Sequence, residues 1–282
     1  MITTLLALAL VSYFAASAAY HVQLFAGSSR GHQFARVTSG VGLLLNLSGI
    51  GAWCLSHTGS ILRDPTMPYS LVAFFLVAAQ LAVDLFRGWS ALGSLTLPLA
   101  VICQFSATLA LKAVEPDATT PPAILSPHVL ALLLGFVAFT LAFSMAVLHL
   151  AQTSLLKAKR LQGIFSRLPS IESARTGAHF MAIVGFSLLS LGIVTGAMAA
   201  PGTWGARWYL DLRTVSSVAA WAVYAAYLGA IEILGWRGRR TMYFLLVGFV
   251  AILLAFLASV NRGAGRTALE TPRSQSTSGI PS

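Results

Sequence analysis

Charge is what this sequence has least of. Asp, Glu, Lys and Arg together make up 9% of its 282 residues, hydrophobic types make up 57%, and only eight residues are acidic. A soluble domain carries roughly a quarter charged residues, because its surface must be solvated. The shortage therefore excludes a cytoplasmic enzyme and a disordered chain. Cysteine is equally scarce. There are two, Cys54 and Cys103, with no CxxC and no CxxCH, which excludes a secreted disulfide scaffold. The weak ten-residue alternation of a membrane barrel is also missing, leaving helices as the only spanning structure that satisfies its own backbone in lipid. What remains is a polytopic, all-α membrane protein.

The positions of the few charges count the crossings. Stretches free of Asp, Glu, Lys and Arg run 1–29, 37–62, 65–83, 88–111, 118–156, 176–206, 214–231 and 241–261. Each holds about the 18 to 20 residues that cross ~30 Å of hydrocarbon. The spacing predicts eight helices near 3–20, 37–56, 69–86, 90–111, 127–150, 177–200, 214–236 and 241–260. These form one bundle over 1–261, and the Gly-, Ser-, Thr-, Pro- and Arg-rich segment 262–282 reads as a disordered tail. Lys and Arg concentrate in 151–176 and 237–240, which puts those loops on the cytoplasmic side and both termini outside. The net charge of +10 then reads as topology signal and contact with anionic lipid, not nucleic acid. The first helix lacks a basic n-region and is expected to stay as an anchor.

Within the bundle, Gly40, Gly42, Gly49 and Gly51 on the second helix and Gly185, Gly192 and Gly196 on the sixth mark close helix approaches, and Pro98 marks a kink in the fourth. Cys54 and Cys103 read as buried small hydrophobes. Asp84 and Glu232 fall at the inner ends of helices three and seven. Their simplest reading is as interfacial acids paired with the nearby Arg87 and Arg237, and the alternative is a functional acid at membrane depth. His149 and His179 sit at inner ends and could clamp an iron between them, or stand alone. His21 and His32 read as solvated residues of the first inner loop.

The outer face carries the most chemistry. His57 ends the second helix, and His128 opens the fifth after Thr119-Thr120-Pro121-Pro122. The outer loop 201–213 contains Trp204, Arg207, Trp208, Tyr209, Asp211 and Arg213. A helical turn would put Trp204, Trp208 and Asp211 on one face. One reading is an interfacial aromatic belt. The other is an apolar, electropositive platform for a planar ligand that carries carboxylates.

Several motifs together resemble the cytochrome c assembly proteins of the CcsA/ResC/HemX type, in particular the HemX-like branch. They are Ser126-Pro127-His128 opening a helix that ends Leu155-Leu156-Lys157-Ala158-Lys159, then Leu168-Pro169-Ser170-Ile171-Glu172, and the run from Gly185 to Ala197. Trp204-Gly205-Ala206-Arg207-Trp208-Tyr209-Leu210-Asp211 is similar to the family's tryptophan-rich platform with one Trp replaced by Leu210, and Trp221, Tyr224, Tyr227 and Leu228 follow its next helix. The likeness covers 126–261 well and the first four helices by topology only. It departs from the family at Leu212, Arg213 and Thr214, at Gly229 where a His is expected, and at Gly265-Arg266-Thr267-Ala268, where an outer His is missing.

The resemblance implies an auxiliary protein of haem handling or cytochrome c maturation in a bacterial inner membrane, working beside other cytochrome c biogenesis membrane proteins. It implies haem as cofactor, with His128 as axial ligand to the iron. Trp204, Trp208 and Tyr209 would cover the porphyrin, Arg207 and Arg213 would meet the propionates, and Asp211 and His57 would lie nearby. The role is binding and handover, with no catalytic residue assigned. Two alternatives stay open: a membrane scaffold that binds no haem, and a small-solute transporter with Asp84 and Glu232 as coupling acids.

Overall fold

The computed structural model describes residues 1–57, 67–110, 125–159, 163, 167–203 and 208–269. Among them are eight long helices: α1 (Ile2–Ala26), α2 (Ser29–Ser56), α3 (Met67–Arg87), α4 (Gly93–Ala110), α5 (Leu125–Lys157), α6 (Ile171–Thr203), α7 (Leu212–Glu232) and α8 (Arg239–Leu269). Short 3-10 turns at Ser90–Leu92 and Trp208–Leu210 precede α4 and α7. All eight are long and apolar enough to cross a membrane, as the charge-free stretches predict, and the described residues contain no strand.

Local chemistry sets the turns. α1 stops because Gly27 adopts the left-handed conformation, φ 71°, and returns its N–H to the Gln23 carbonyl. Ser28 then caps α2, its Oγ accepting from the Gly31 N–H at 3.1 Å. Only two residues separate the helices, so α1 and α2 must run antiparallel as a hairpin. Asp211 plays the capping part for α7, accepting from the Arg213 N–H.

The helices outrun the charge-free stretches on which their prediction rests. α2 begins at Ser29, so Arg30, His32 and Arg36 are helical, and His21 lies inside α1 with Nδ1 2.8 Å from the Ser17 carbonyl. The reading of His21 and His32 as loop residues is therefore corrected. The cause is that Arg36 and His32 find a carboxylate, described below, and so do not need to leave the helix for water. Pro98 lies within α4, which continues on either side of it. α8 stays helical through Leu269, past the change of composition at residue 262, and 270–282 fall outside the described residues.

The eight helices form two groups of four, α1–α4 and α5–α8, joined chiefly by α3 against α5. α5 is the central helix and the most buried of the eight. Small residues allow the tight pairs. A Cβ on Gly42 would meet the Tyr13 ring at 2.6 Å, and one on Gly185 would meet the Phe139 ring at 2.7 Å. Gly40 and Gly51 have open space instead, so of the four glycines read as close approaches on α2 only Gly42 and Gly49 serve packing. Cys103 is buried, but Cys54 is exposed on the bundle surface, which corrects its reading as a core residue.

Several buried polar groups of the first four helices pair across helices, which spares them the cost of facing lipid unpaired. Asn46 of α2 donates to Gln104 Oε1 of α4 at 2.8 Å. Ser70 of α3 donates to Asn46 Oδ1 at 2.9 Å, and Gln104 Nε2 reaches the Leu6 carbonyl of α1 at 3.3 Å. One network thus ties the whole first group together.

Candidate functional site

The bundle has a basic end, which holds the turns after α1, α3, α5 and α7, and a distal end with the opposite turns. At the distal end a cavity of about 380 Å³ opens between α5, α6, α7 and α8, with the start of α3 at its edge. Its walls are mainly apolar. Phe136 of α5 stacks on Phe256 of α8 with centroids 4.6 Å apart, and Tyr69 of α3 meets Phe256 edge-on at 5.1 Å. A flat hydrophobic molecule would find aromatic faces here and little competition from water.

His128 is the imidazole of this cavity, and two features of α6 hold it. Its Nδ1 lies 2.7 Å from the Gly192 carbonyl, so the tautomer that donates from Nδ1 carries its lone pair on Nε2. The Thr195 hydroxyl is 3.5 Å from the same nitrogen. Below the ring, Gly196 supplies room: a Cβ there would stand 2.6 Å from His128 Cε1. An oriented imidazole on a backbone carbonyl is the arrangement that metal-ligating histidines use.

Arg213 lines the cavity beside it. Asp211 orients the guanidinium, with Nη2 at 3.0 Å and Nε at 3.3 Å from Oδ2. The same carboxylate caps α7, so one residue both starts the helix and aims the cation. Trp208, from the turn before α7, completes the wall.

The sequence-derived site residues separate in space. His128, Trp208 and Asp211 line the cavity. Tyr209 is exposed, edge-on to Trp208 at 6.3 Å, and is not among the described lining residues. His57 is stacked on Trp53, 4.5 Å between centroids and 6° between planes, with Nδ1 3.1 Å from the Trp53 carbonyl. It too is absent from the described lining. Trp204 and Arg207 lie outside the described residues. The aromatic wall of Tyr69, Phe136 and Phe256 is new from the fold. It comes from three helices, and nothing in the local sequence around any one of them signals it. Among the described residues no group of three or more His, Cys, Asp and Glu could hold a metal ion.

At the basic end, Asp84 is fully buried and ion-paired, but not with Arg87. Arg36 Nε donates to its Oδ2 at 2.8 Å, and Arg36 Nη2 to its main-chain carbonyl at 2.8 Å. His32 Nε2 lies 2.9 Å from Oδ2, and the Tyr20 hydroxyl donates to the same Oδ2 at 2.9 Å. Arg87 turns instead over the Trp89 ring. Glu232 meets His179 Nε2 at 3.3 Å and not Arg237. His149 contacts the Ile171 carbonyl, so His149 and His179 have separate partners. Sequence proximity chose the wrong partner in both cases, because contacts across helices are invisible in a linear reading.

Comparison with known proteins places this geometry in a family. The fold is shared with a solved structure titled "Cytochrome c Heme Lyase CcmF", which superposes over 97% of this chain and 52% of its own, with a TM-score of 0.63 at 17% identity. Among curated relatives, the "Cytochrome c biogenesis protein CcsA" of Thermosynechococcus vestitus is 34% identical over 113 residues, 40% of this chain and 35% of that protein. The protein of the same name from Prochlorococcus marinus strain MIT 9313 is 28% identical over 224 residues, 69% of this chain and 70% of that protein. The match to the first of these relatives spans about a third of its length. Residues 65–263 match the pattern described as "Cytochrome C assembly protein", well over half of the chain, and the chain therefore belongs to the cytochrome c assembly protein family.

Proposed function

We propose that this protein binds haem in the distal cavity and presents it for cytochrome c maturation, in the plasma membrane of a bacterium with the basic end facing the cytoplasm. The observation that carries the reading is His128, an imidazole oriented by the Gly192 carbonyl inside an apolar, aromatic-walled cavity. The donor set fits the group: one nitrogen ligand for the iron, flat apolar walls for the porphyrin, and a guanidinium for a propionate. When bound, the haem supplies the iron and its redox and ligand-exchange chemistry.

The chain's own residues hold and orient. His128 would hold the iron through Nε2, with Nδ1 kept on the Gly192 carbonyl to fix the tautomer. Phe136, Tyr69 and Trp208 exclude water from the ring. Arg213, aimed by Asp211, would meet a carboxylate of the ligand. Other membrane proteins of cytochrome c biogenesis are the partners this role requires. The even number of spans and the cluster of cations at the basic end support the orientation.

One observation favours a second reading, a scaffold without cofactor. Among the described residues that line the cavity, His128 is the only histidine, and His57 lies elsewhere. The transporter reading has less behind it, since Asp84 is ion-paired with Arg36 and in contact with His32 at one end of the bundle and not set near the midplane.

Absorption spectra of the detergent-purified protein, oxidised and reduced, decide between the first two. A Soret band that is lost in His128→Ala supports haem binding at this site. A flat spectrum after reconstitution with added haem overturns it and leaves the scaffold.

A further inference from the structure

A second cavity lies at the basic end, with a volume of about 450 Å³, inside the range of ~300–1,000 Å³ usual for small-molecule sites. Its chemistry is the reverse of the distal cavity. Arg87 at the end of α3, Trp89 from the turn after it, Arg167 from the segment before α6, and Gln23 of α1 converge on it, with His32 also in its lining.

Both arginines are held in place. Arg167 Nη1 donates to the Leu24 and Phe25 carbonyls at 2.8 and 2.9 Å, the last turn of α1, where the helix dipole favours a cation. Its guanidinium passes so close to Gly27 that a Cβ there would stand 2.1 Å from Nη2. Nη1 is thereby occupied, while Nε and Nη2 make no hydrogen bond among the described residues. Arg87 stands over the Trp89 ring at 5.9 Å. Among the described residues neither arginine has a carboxylate partner. The nearest acid of the region, Asp84, is matched by Arg36 and His32. The cavity therefore carries uncompensated positive charge.

Gln23 adds an independent signal. Its Oε1 is buried and has no hydrogen-bond partner among the described residues. Such an acceptor is costly unless a donor reaches it. The site thus asks for an anion that also carries a hydroxyl, at the level where spanning helices end and lipid headgroups begin.

We propose that this cavity binds the headgroup of an anionic phospholipid of the phosphatidylglycerol class. Its phosphate lies on Arg87 and Arg167, and a glycerol hydroxyl donates to Gln23 Oε1. Bound there, the lipid ties the turn after α3 and the segment before α6 to the end of α1, which joins the two halves of the bundle at the leaflet surface. The inference is independent of the haem reading, since none of these residues lines the distal cavity.

Native mass spectrometry of the full chain in detergent tests it, with titration by phosphatidylglycerol, phosphatidic acid, phosphatidylcholine and inorganic phosphate. One saturable phosphatidylglycerol adduct is expected, tighter than phosphatidylcholine. Combined Arg87→Gln and Arg167→Gln should weaken it about thirtyfold, while Arg237→Gln, outside the cavity, leaves it unchanged. Gln23→Leu keeps both arginines and should abolish the preference for phosphatidylglycerol over phosphatidic acid, a readout that survives if the double variant does not fold. Equal binding of phosphatidylcholine, or a preference unchanged in Gln23→Leu, overturns the proposal. Saturation by inorganic phosphate without a lipid adduct also overturns it, in favour of a free-phosphate site.

Discussion

His128 rests on Gly196: a single methyl group at position 196 would stand 2.6 Å from the imidazole Cε1 and 2.9 Å from Nδ1. The ring and the glycine come from adjacent helices, α5 and α6, so the position of the imidazole is set by a backbone contact between them. Gly192, one turn earlier, presents its carbonyl to the same ring but turns its own Cα toward Leu132.

These two glycines can be separated by experiment. Gly196→Ala should displace His128 and reduce haem retention at least tenfold, about 1.4 kcal/mol or more. Gly192→Ala keeps the carbonyl and meets the flexible end of Leu132, so it should lower thermal stability with little change in the Soret band. Parallel melting curves and haem titrations of both variants check the contrast. Equal loss of haem from both would mean that the contact at 196 has no special part.

Asp84 and Arg36 form a pair in which one side is fully buried. Breaking such a pair costs about 3–5 kcal/mol, because the surviving charge keeps its burial without its partner. Asp84→Asn should fall at the low end of that range, since Arg36 is partly exposed and can turn outward. Replacing both residues with Leu should recover most of the loss. Unfolding in detergent, followed by helical circular dichroism, gives the three values.

The Asn46, Ser70 and Gln104 network predicts a smaller effect. Polar contacts between membrane helices are worth about 0.6–2 kcal/mol each. Asn46→Leu removes contacts to two helices and leaves Gln104 Oε1 with the Ser70 hydroxyl alone. A loss of about 1–2 kcal/mol is expected on that scale, with no change in haem titration, because the network lies in the first four helices.

Arg213 should matter through geometry as well as charge. A guanidinium aimed by Asp211 makes two directed contacts that an ammonium cannot copy. Arg213→Gln is expected to weaken haem retention about tenfold, in line with one lost charge-assisted hydrogen bond of about 1.5–3 kcal/mol. Arg213→Lys should restore it only in part. Asp211→Ser keeps the cap of α7 but releases the cation, so its helix content should hold while haem retention falls. Haem dissociation rates, measured by transfer to an acceptor protein, distinguish the three.

Much of the architecture was readable along the chain. Eight charge-free stretches became eight helices because hydrocarbon excludes charge and demands internal backbone bonding. His128, Trp208 and Asp211 were recognisable by their motif and do line one cavity. His57 shared their end of the molecule but not their location, since α2 packs on α1 and α3, away from the cavity. Tyr69, Phe136 and Phe256 had no local signature, being ordinary aromatic residues of spanning helices until three of them met.

Composition and spacing by themselves determined the helical class, the number of crossings and the basic end, because each depends on the cost of placing a charge or an unpaired backbone group in lipid. Tertiary structure alone decided which charges pair. It put Asp84 on Arg36 and His32, 48 and 52 residues away, in place of Arg87 three residues along. Helix packing brings side chains together by rotation and register, and neither quantity is written in the distance between two residues along the chain.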